Sequence, residues 1–200
     1  MDKKIKERIR ELRREHGIPT AQKGVPLFQP GGNEPYVANI YASDDMRALG
    51  FRYAADKLVE VAASKPGYTD YFVYPVAYLY RMYIESRLKE IIQSATGRPL
   101  SRRLKVHNLL TLWAEAKPMM KRSSQCFDDQ ELEAVEEKLR EFCKIDPDSD
   151  AFRYATNKNG KPTLRGMRTL DLKHLNKIVD SISTPLEGSS TAVYEDKKTG

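Results

Sequence analysis

His107 stands at the end of a basic run, Arg102-Arg103-Leu104-Lys105-Val106-His107. From Arg98 to His107 there are four Lys and Arg residues and no acid. Imidazole is the side chain whose ordinary titration falls near neutral pH. Guanidinium keeps its charge and presents a planar fork to phosphate oxygens. A histidine to move a proton, beside arginines to take phosphate charge, is the smallest set able to cleave a phosphodiester without a metal. An apolar helical pattern, Leu109-Leu110-Thr111-Leu112-Trp113, begins directly after His107. A histidine in a first helical turn sits at the positive end of the helix dipole, which disfavours the imidazolium and leaves the ring exposed.

An arginine separated from a histidine by four to six residues also occurs at Arg10 with His16 and at Arg168 with His174. Spacing alone therefore does not choose among the three histidines. Only His107 opens an apolar helix out of a loop; His16 closes a charged helix, and His174 is expected on the surface of the last one. Arg81 and Glu85, i and i+4 in a nearly all-apolar stretch, share one helix face. Charges in such surroundings must be paired or must line a cavity, so the pair reads either as a mutual salt bridge or as a polar cleft.

Other chemistries find no support. Neither GxGxxG nor GxxxxGK[ST] occurs, and there is no HExxH. Asp146, Asp148 and Asp150 imitate the start of a calcium loop, but Ala151 stands where glycine is needed and Asn157 where a bidentate glutamate is needed. The two cysteines, Cys126 and Cys143, form no CxxC, which excludes a four-cysteine zinc site and a disulfide scaffold. Cys143 follows Phe142 on an amphipathic helix and reads as a buried thiol. No metal and no cofactor are expected.

The elements that must position these groups are helices. The chain has 200 residues, 40% hydrophobic and 31% charged, with a net charge of +6, a soluble globular composition that mildly favours a polyanionic partner. Residues 1–16 read as a charged helix with the narrow stripe Ile5, Ile9, Leu12. Residues 17–42, rich in Pro and Gly, read as a long loop or linker. Ser43 caps a helix over 44–64. Residues 69–95, apolar on every face from Tyr71 to Ile84, form the buried central helix, interrupted early by Pro75. Six of the eleven tyrosines lie between Tyr68 and Tyr83, read as core packing with hydroxyls at the rim.

A helix from His107 to about Ala116 follows, ended or bent by Pro118. An acidic helix over 128–144 carries the stripe Leu132, Val135, Leu139, Phe142. Asn159-Gly160 predicts a hairpin over 151–164, and a final helix covers 170–182. The fold class is all-α: a helical bundle with a long buried central helix and a small β-hairpin insertion. Its parts are 1–42, a bundle over 43–184, and a disordered tail over 185–200. Charge is segregated: net −7 over Asp128–Asp150 and net +6 over Arg153–Lys177. No apolar run approaches the roughly 20 residues of a membrane span, and the charged N-terminus is no secretory signal; a cytosolic location is expected.

The segments YLYRMYIESRLKEII, RRLKVHNLLTLW and SDAFRYATNKNGKPTL together resemble the HEPN-like superfamily of prokaryotic helical domains. Many of its members are ribonucleases of toxin–antitoxin and antiphage systems, marked by Arg-x4–6-His at the start of a late bundle helix. Arg102 to His107 fits, with Arg103 as the polar residue after the arginine. The resemblance covers roughly 44–183. It implies a metal-independent endoribonuclease in which His107 moves the proton of a ribose 2′-hydroxyl, Arg102 stabilises the phosphorane and Asn108 orients either one. It further implies a homodimer with two motifs in one cleft, RNA as the partner, and a cognate inhibitor or defence-system protein. From charge placement, Glu85 would hold the imidazole and Arg153 the flanking phosphate, with Arg81 a supporting residue beside Glu85. The alternative is a catalytically silent HEPN-like module that binds RNA, a nucleotide or a protein, because His-Asn also occurs in such domains.

Overall fold

The computed structural model describes residues 3–17, 26–28, 31, 35, 38–41, 43–65, 67–104, 106–123 and 127–199, without the side chains of 103, 123, 191 and 193–199. Two compact units result, Met1–Ile40 and Tyr41–Gly200. The first contains α1 (Lys3–Glu15), which has no buried residue. Most of the expected Pro/Gly-rich loop lies outside the described residues.

The second unit holds five helices among its described residues: α2 (Asp44–Ser64), α3 (Tyr68–Thr96), α4 (Leu109–Ser123), α5 (Asp129–Ile145) and α6 (Leu172–Thr199). Ser43 caps α2 by accepting from the Met46 N–H at 3.2 Å. Asp128 and Glu131 form a reciprocal capping box on α5. Asp171 caps α6 through the His174 N–H at 2.9 Å, and this bond holds its carboxyl below the usual range. Gly97 ends α3 with φ of 64°, a left-handed C-cap.

Helix α3 is the axis of this unit, packed against α2, α4 and α6. Ala48, Ala55 and Ala62, a heptad apart and all buried, give α2 a smooth seam for close approach. Gln93 meets Asp44, Arg87 meets Asp45 and Tyr80 meets Asp56, the order of an antiparallel pair. Helix α6 runs parallel to α3: Asn176 donates to the Tyr80 hydroxyl at 2.7 Å, Tyr83 donates to Glu187 at 2.8 Å and Ser190 donates to Glu90 at 2.7 Å. Burial, with Asp56 beside Tyr80 and Glu187 beside Tyr83, pushes both phenols above their ordinary range. On α5, Leu132, Val135 and Leu139 enter the core as the spacing predicts.

Three expectations need correction. No strand forms among the described residues over 151–164. A single antiparallel bridge joins Thr156 to Pro162. Asn157 closes the turn with its side chain, accepting from the Asn159 and Lys161 N–H groups. Pro162 has no N–H to extend a ladder, and Leu164 turns away with φ of 52°. Second, the chain after Pro185 is not a disordered tail: α6 continues to Thr199. Leu186 is fully buried, Glu187 accepts from Arg52 at 2.7 Å, and Gly188 lets the helix pass Phe127, whose ring a Cβ would meet at 2.7 Å. Third, α4 does not end at Pro118 but runs on to Ser123 with the proline inside it.

Candidate active site

In the loop between α3 and α4, Leu104 enters the core and Leu100 and Val106 pack against it. Residues Arg102–Leu104 form one 3-10 turn. Leu104 buries its side chain in the core while Arg102 is exposed. Arg102 has no ion-pair partner among the described residues; Lys105 and the side chain of Arg103 lie outside them. Asn108 then caps α4: its Oδ1 accepts from the Thr111 N–H at 3.0 Å and the Thr111 hydroxyl at 3.3 Å. Among the described residues its carbonyl oxygen thus serves the helix terminus rather than His107 or Arg102.

His107 projects from this loop onto α3. Its side chain is 59% exposed, while that of Glu85 beneath it is 3% exposed. The Nδ1 of His107 lies 3.0 Å from Glu85 Oε1. A carboxylate only accepts, so Nδ1–H donates, and in the neutral ring Nε2 then carries the free lone pair, turned away from this bond. Glu85 Oε1 also accepts from Lys89 Nζ at 2.7 Å, and Oε2 from Arg81 Nη1 at 3.1 Å. Arg81, completely buried, donates its other terminal nitrogen to the backbone carbonyl of His107. One buried guanidinium thus fixes both the carboxylate and the loop that carries the histidine. Burial works against the Arg81 charge, and Glu85 and Asp146 work for it.

Asp146 is itself buried, and its Oδ1 accepts from the N–H groups of Asp150 and Ala151 at 2.8 and 2.9 Å. It organises the turn after α5. Among the described residues no group of three or more His, Cys, Asp and Glu is arranged to hold a metal ion. Cys143 is a half-buried free thiol.

The same turn delivers Arg153. Its Nε donates to the Ser149 carbonyl at 2.6 Å. The guanidinium lies over two tyrosine rings, 5.5 Å from the centre of Tyr78 and 5.2 Å from that of Tyr154. Tyr78 and Glu85 are seven residues apart on α3 and so differ by only about 20° around it. At about 1.5 Å per residue they are about 10 Å apart along the axis.

The structure therefore brings together His107, Glu85 and Arg81, and sets Arg153 on the same face of α3. It links neither Arg102 nor Asn108 to the imidazole among the described residues. His16 and His174 are exposed, on α1's C-terminal turn and on α6. Two members of the set are missing from the sequence reading. Lys89 carries a signal, being i+4 from Glu85; Asp146 carries none, because its burial comes from the turn it caps. Comparison with protein-family models, curated proteins and solved structures gives no match.

Proposed function

We propose that the helical body is a metal-independent endoribonuclease of the HEPN type, acting as a toxin or antiphage-defence effector. The observation that carries this reading is the exposed His107 ring held through Nδ1 by buried Glu85. An imidazole oriented by a carboxylate is the arrangement of a general base. The Nε2 takes the proton of a ribose 2′-hydroxyl as that oxygen attacks the adjacent phosphorus. The bond to the 5′-oxygen then breaks, giving a 2′,3′-cyclic phosphate and a 5′-hydroxyl. Arg102 supplies charge to the phosphorane from the preceding turn. One histidine makes a thin set for both proton transfers, and a second copy of the chain would supply the acid. The proposal therefore includes a symmetric dimer with both His107 rings in one basic groove, of twice the 22.9 kDa chain mass in light scattering.

The test is cleavage of single-stranded RNA in the presence of EDTA. Wild type gives cyclic-phosphate ends and fails on a 2′-deoxy substitution at the cut. His107→Ala lowers the rate by roughly 10²- to 10⁴-fold, the usual worth of general acid–base catalysis; His16→Ala and His174→Ala do not. Full activity in His107→Ala refutes the mechanism. A second reading, a silent binding module, is favoured by one observation: Asn108 caps α4 and Arg102 has no described link to His107. Absence of cleavage in wild type, with salt-dependent RNA binding weakened by Arg102→Ala, selects it.

A further inference from the structure

From Tyr71 to Tyr74 α3 is apolar and aromatic in sequence; Phe72 and Val73 pack against the core, yet the two tyrosines are open. Tyr71 is 76% exposed, Tyr74 53% and, on the neighbouring turn, Tyr154 57%. The cause is geometric. Helix α6 starts at Leu172 and first bonds α3 where Asn176 meets Tyr80. Running parallel, it begins about level with Val76 and leaves the earlier turns uncovered by it. Tyr71, Tyr74 and Tyr78, spaced three and four, lie on one strip of α3. Glu85 and Lys89 continue that strip to His107.

Arg153 sits on this strip with one nitrogen bonded, to Ser149, and its two terminal nitrogens without an acceptor among the described residues. It heads a basic segment. The seven Lys and Arg from Arg153 to Lys177 are all exposed, and none closes a salt bridge among the described residues. Elsewhere the charged helices are paired: Lys117 and Arg140 with Glu136, and Lys138 with Glu141. Aromatic faces and unneutralised cations on one strip are the combination that binds an unpaired nucleic-acid strand, rings taking bases and guanidinium taking phosphate.

We infer that Tyr71, Tyr74, Tyr154 and Arg153 form a stacking platform that seats single-stranded RNA beside His107. The inference rests on the proposed function for the direction of the strand toward His107, not for the binding itself. Tyr71 and Glu85 are about 21 Å apart along α3 at about 1.5 Å per residue. At about 3.4 Å per stacked nucleotide this seats about six nucleotides.

The experiment uses the full chain with His107→Ala, so that RNA stays intact, and fluorescence anisotropy of labelled oligouridylates of rising length. Affinity grows with length to about six nucleotides and then levels. Tyr74→Ala and Tyr154→Ala each weaken binding by about 5- to 150-fold, the usual worth of a base–aromatic stack, without changing the salt slope. Arg153→Ala lowers the magnitude of the log–log salt slope by about 0.7, one phosphate contact on a single strand. Arg153→Lys keeps the slope and loses part of the affinity. Lys57→Ala, on α2, serves as the control and changes neither. Unaltered oligouridylate affinity in all platform variants, or tighter binding of fully paired RNA, overturns the platform. If wild type cleaves RNA while platform variants bind it normally, only the platform falls. If wild type cleaves nothing while those variants lose binding, only the nuclease reading falls.

Discussion

Replacing Glu85 by glutamine tests whether the buried carboxylate holds the site together. Glu85 accepts from Arg81, Lys89 and His107 at 3.1, 2.7 and 3.0 Å. Glutamine keeps one acceptor oxygen and turns an NH₂ toward donors. Arg81, fully buried, loses its nearest counter-charge. Breaking a buried pair by removing one partner costs about 3–5 kcal/mol. Asp146 still favours the Arg81 charge, which places the change near the lower figure. For a domain of this size each kcal/mol moves Tm by about 2–4 °C, so the expected loss is about 6–12 °C by calorimetry. Lys89→Met, at a partly exposed nitrogen, costs about 1 kcal/mol or less. The paired replacement Arg81→Met with Glu85→Leu removes both charges; such swaps range from neutral to stabilising, offset here by the lost bond to the His107 carbonyl. It should regain at least half of the lost Tm while, on the proposed reading, cleavage stays impaired, separating folding from positioning. A Glu85→Gln shift under about 2 °C, or a double variant less stable than Glu85→Gln, refutes the account.

Three further outcomes follow from the packing. Hydrogen bonds from Lys117, Arg140 and Trp113 hold the Glu136 carboxyl down from 4.5 to about 2. A depressed carboxyl stabilises the fold above its unfolded value and loses that contribution as pH falls toward the folded one. Between pH 4.5 and about 2, Glu136→Gln should therefore flatten the acid decline of Tm, and the fluorescence of the sole tryptophan should report the titration; an unchanged acid limb contradicts this. Ala55→Leu should overpack the α2–α3 seam and cost about 1–3 kcal/mol in denaturant melts, whereas an unchanged midpoint would mean the seam is not closely packed. Deleting the chain after Thr184 removes buried Leu186, worth about 2–5 kcal/mol, together with the Glu187 bonds to Arg52 and Tyr83; a Tm within about 2 °C of wild type would show that this part of α6 is dispensable.

The all-helical architecture is legible because amphipathic spacing and caps are local. Leu132, Val135 and Leu139 are buried where a three–four spacing puts them, and Ser43 and Asp128 cap where short oxygen-bearing side chains precede helical runs. What fails to read is non-local. Apolar composition alone buries all of α3, but where α6 begins decides that Tyr71 and Tyr74 stay open. The Ser/Thr/Gly-rich stretch from Pro185 onward reads as unstructured, yet Arg52, Tyr83 and Glu90 bind it from two other helices. In the site, i,i+4 spacing puts Arg81 and Glu85 on one face and charge placement singles out Glu85 for the imidazole. That Arg81 also reaches the His107 backbone depends on the path of the α3–α4 loop, which no spacing encodes.

Net charge is a weak guide because it weighs a neutralised cation like a free one. At about 0.1 M salt, fields fade over about 10 Å, so an approaching polyanion feels local, uncompensated charge rather than the total of +6. The segment Asp128–Asp150 is net −7. Several of its glutamates bind cations of α4 and α5, so those cations offer little to RNA, and the remaining negative charge repels it. The basic segment from Arg153 onward lacks such pairing among the described residues. Its field therefore acts where Arg153 lies against Tyr78, two turns along α3 from the residue that holds His107. On the proposed reading, electrostatics and stacking would orient a strand on one helix face, and the acidic α5 would keep it from lying elsewhere.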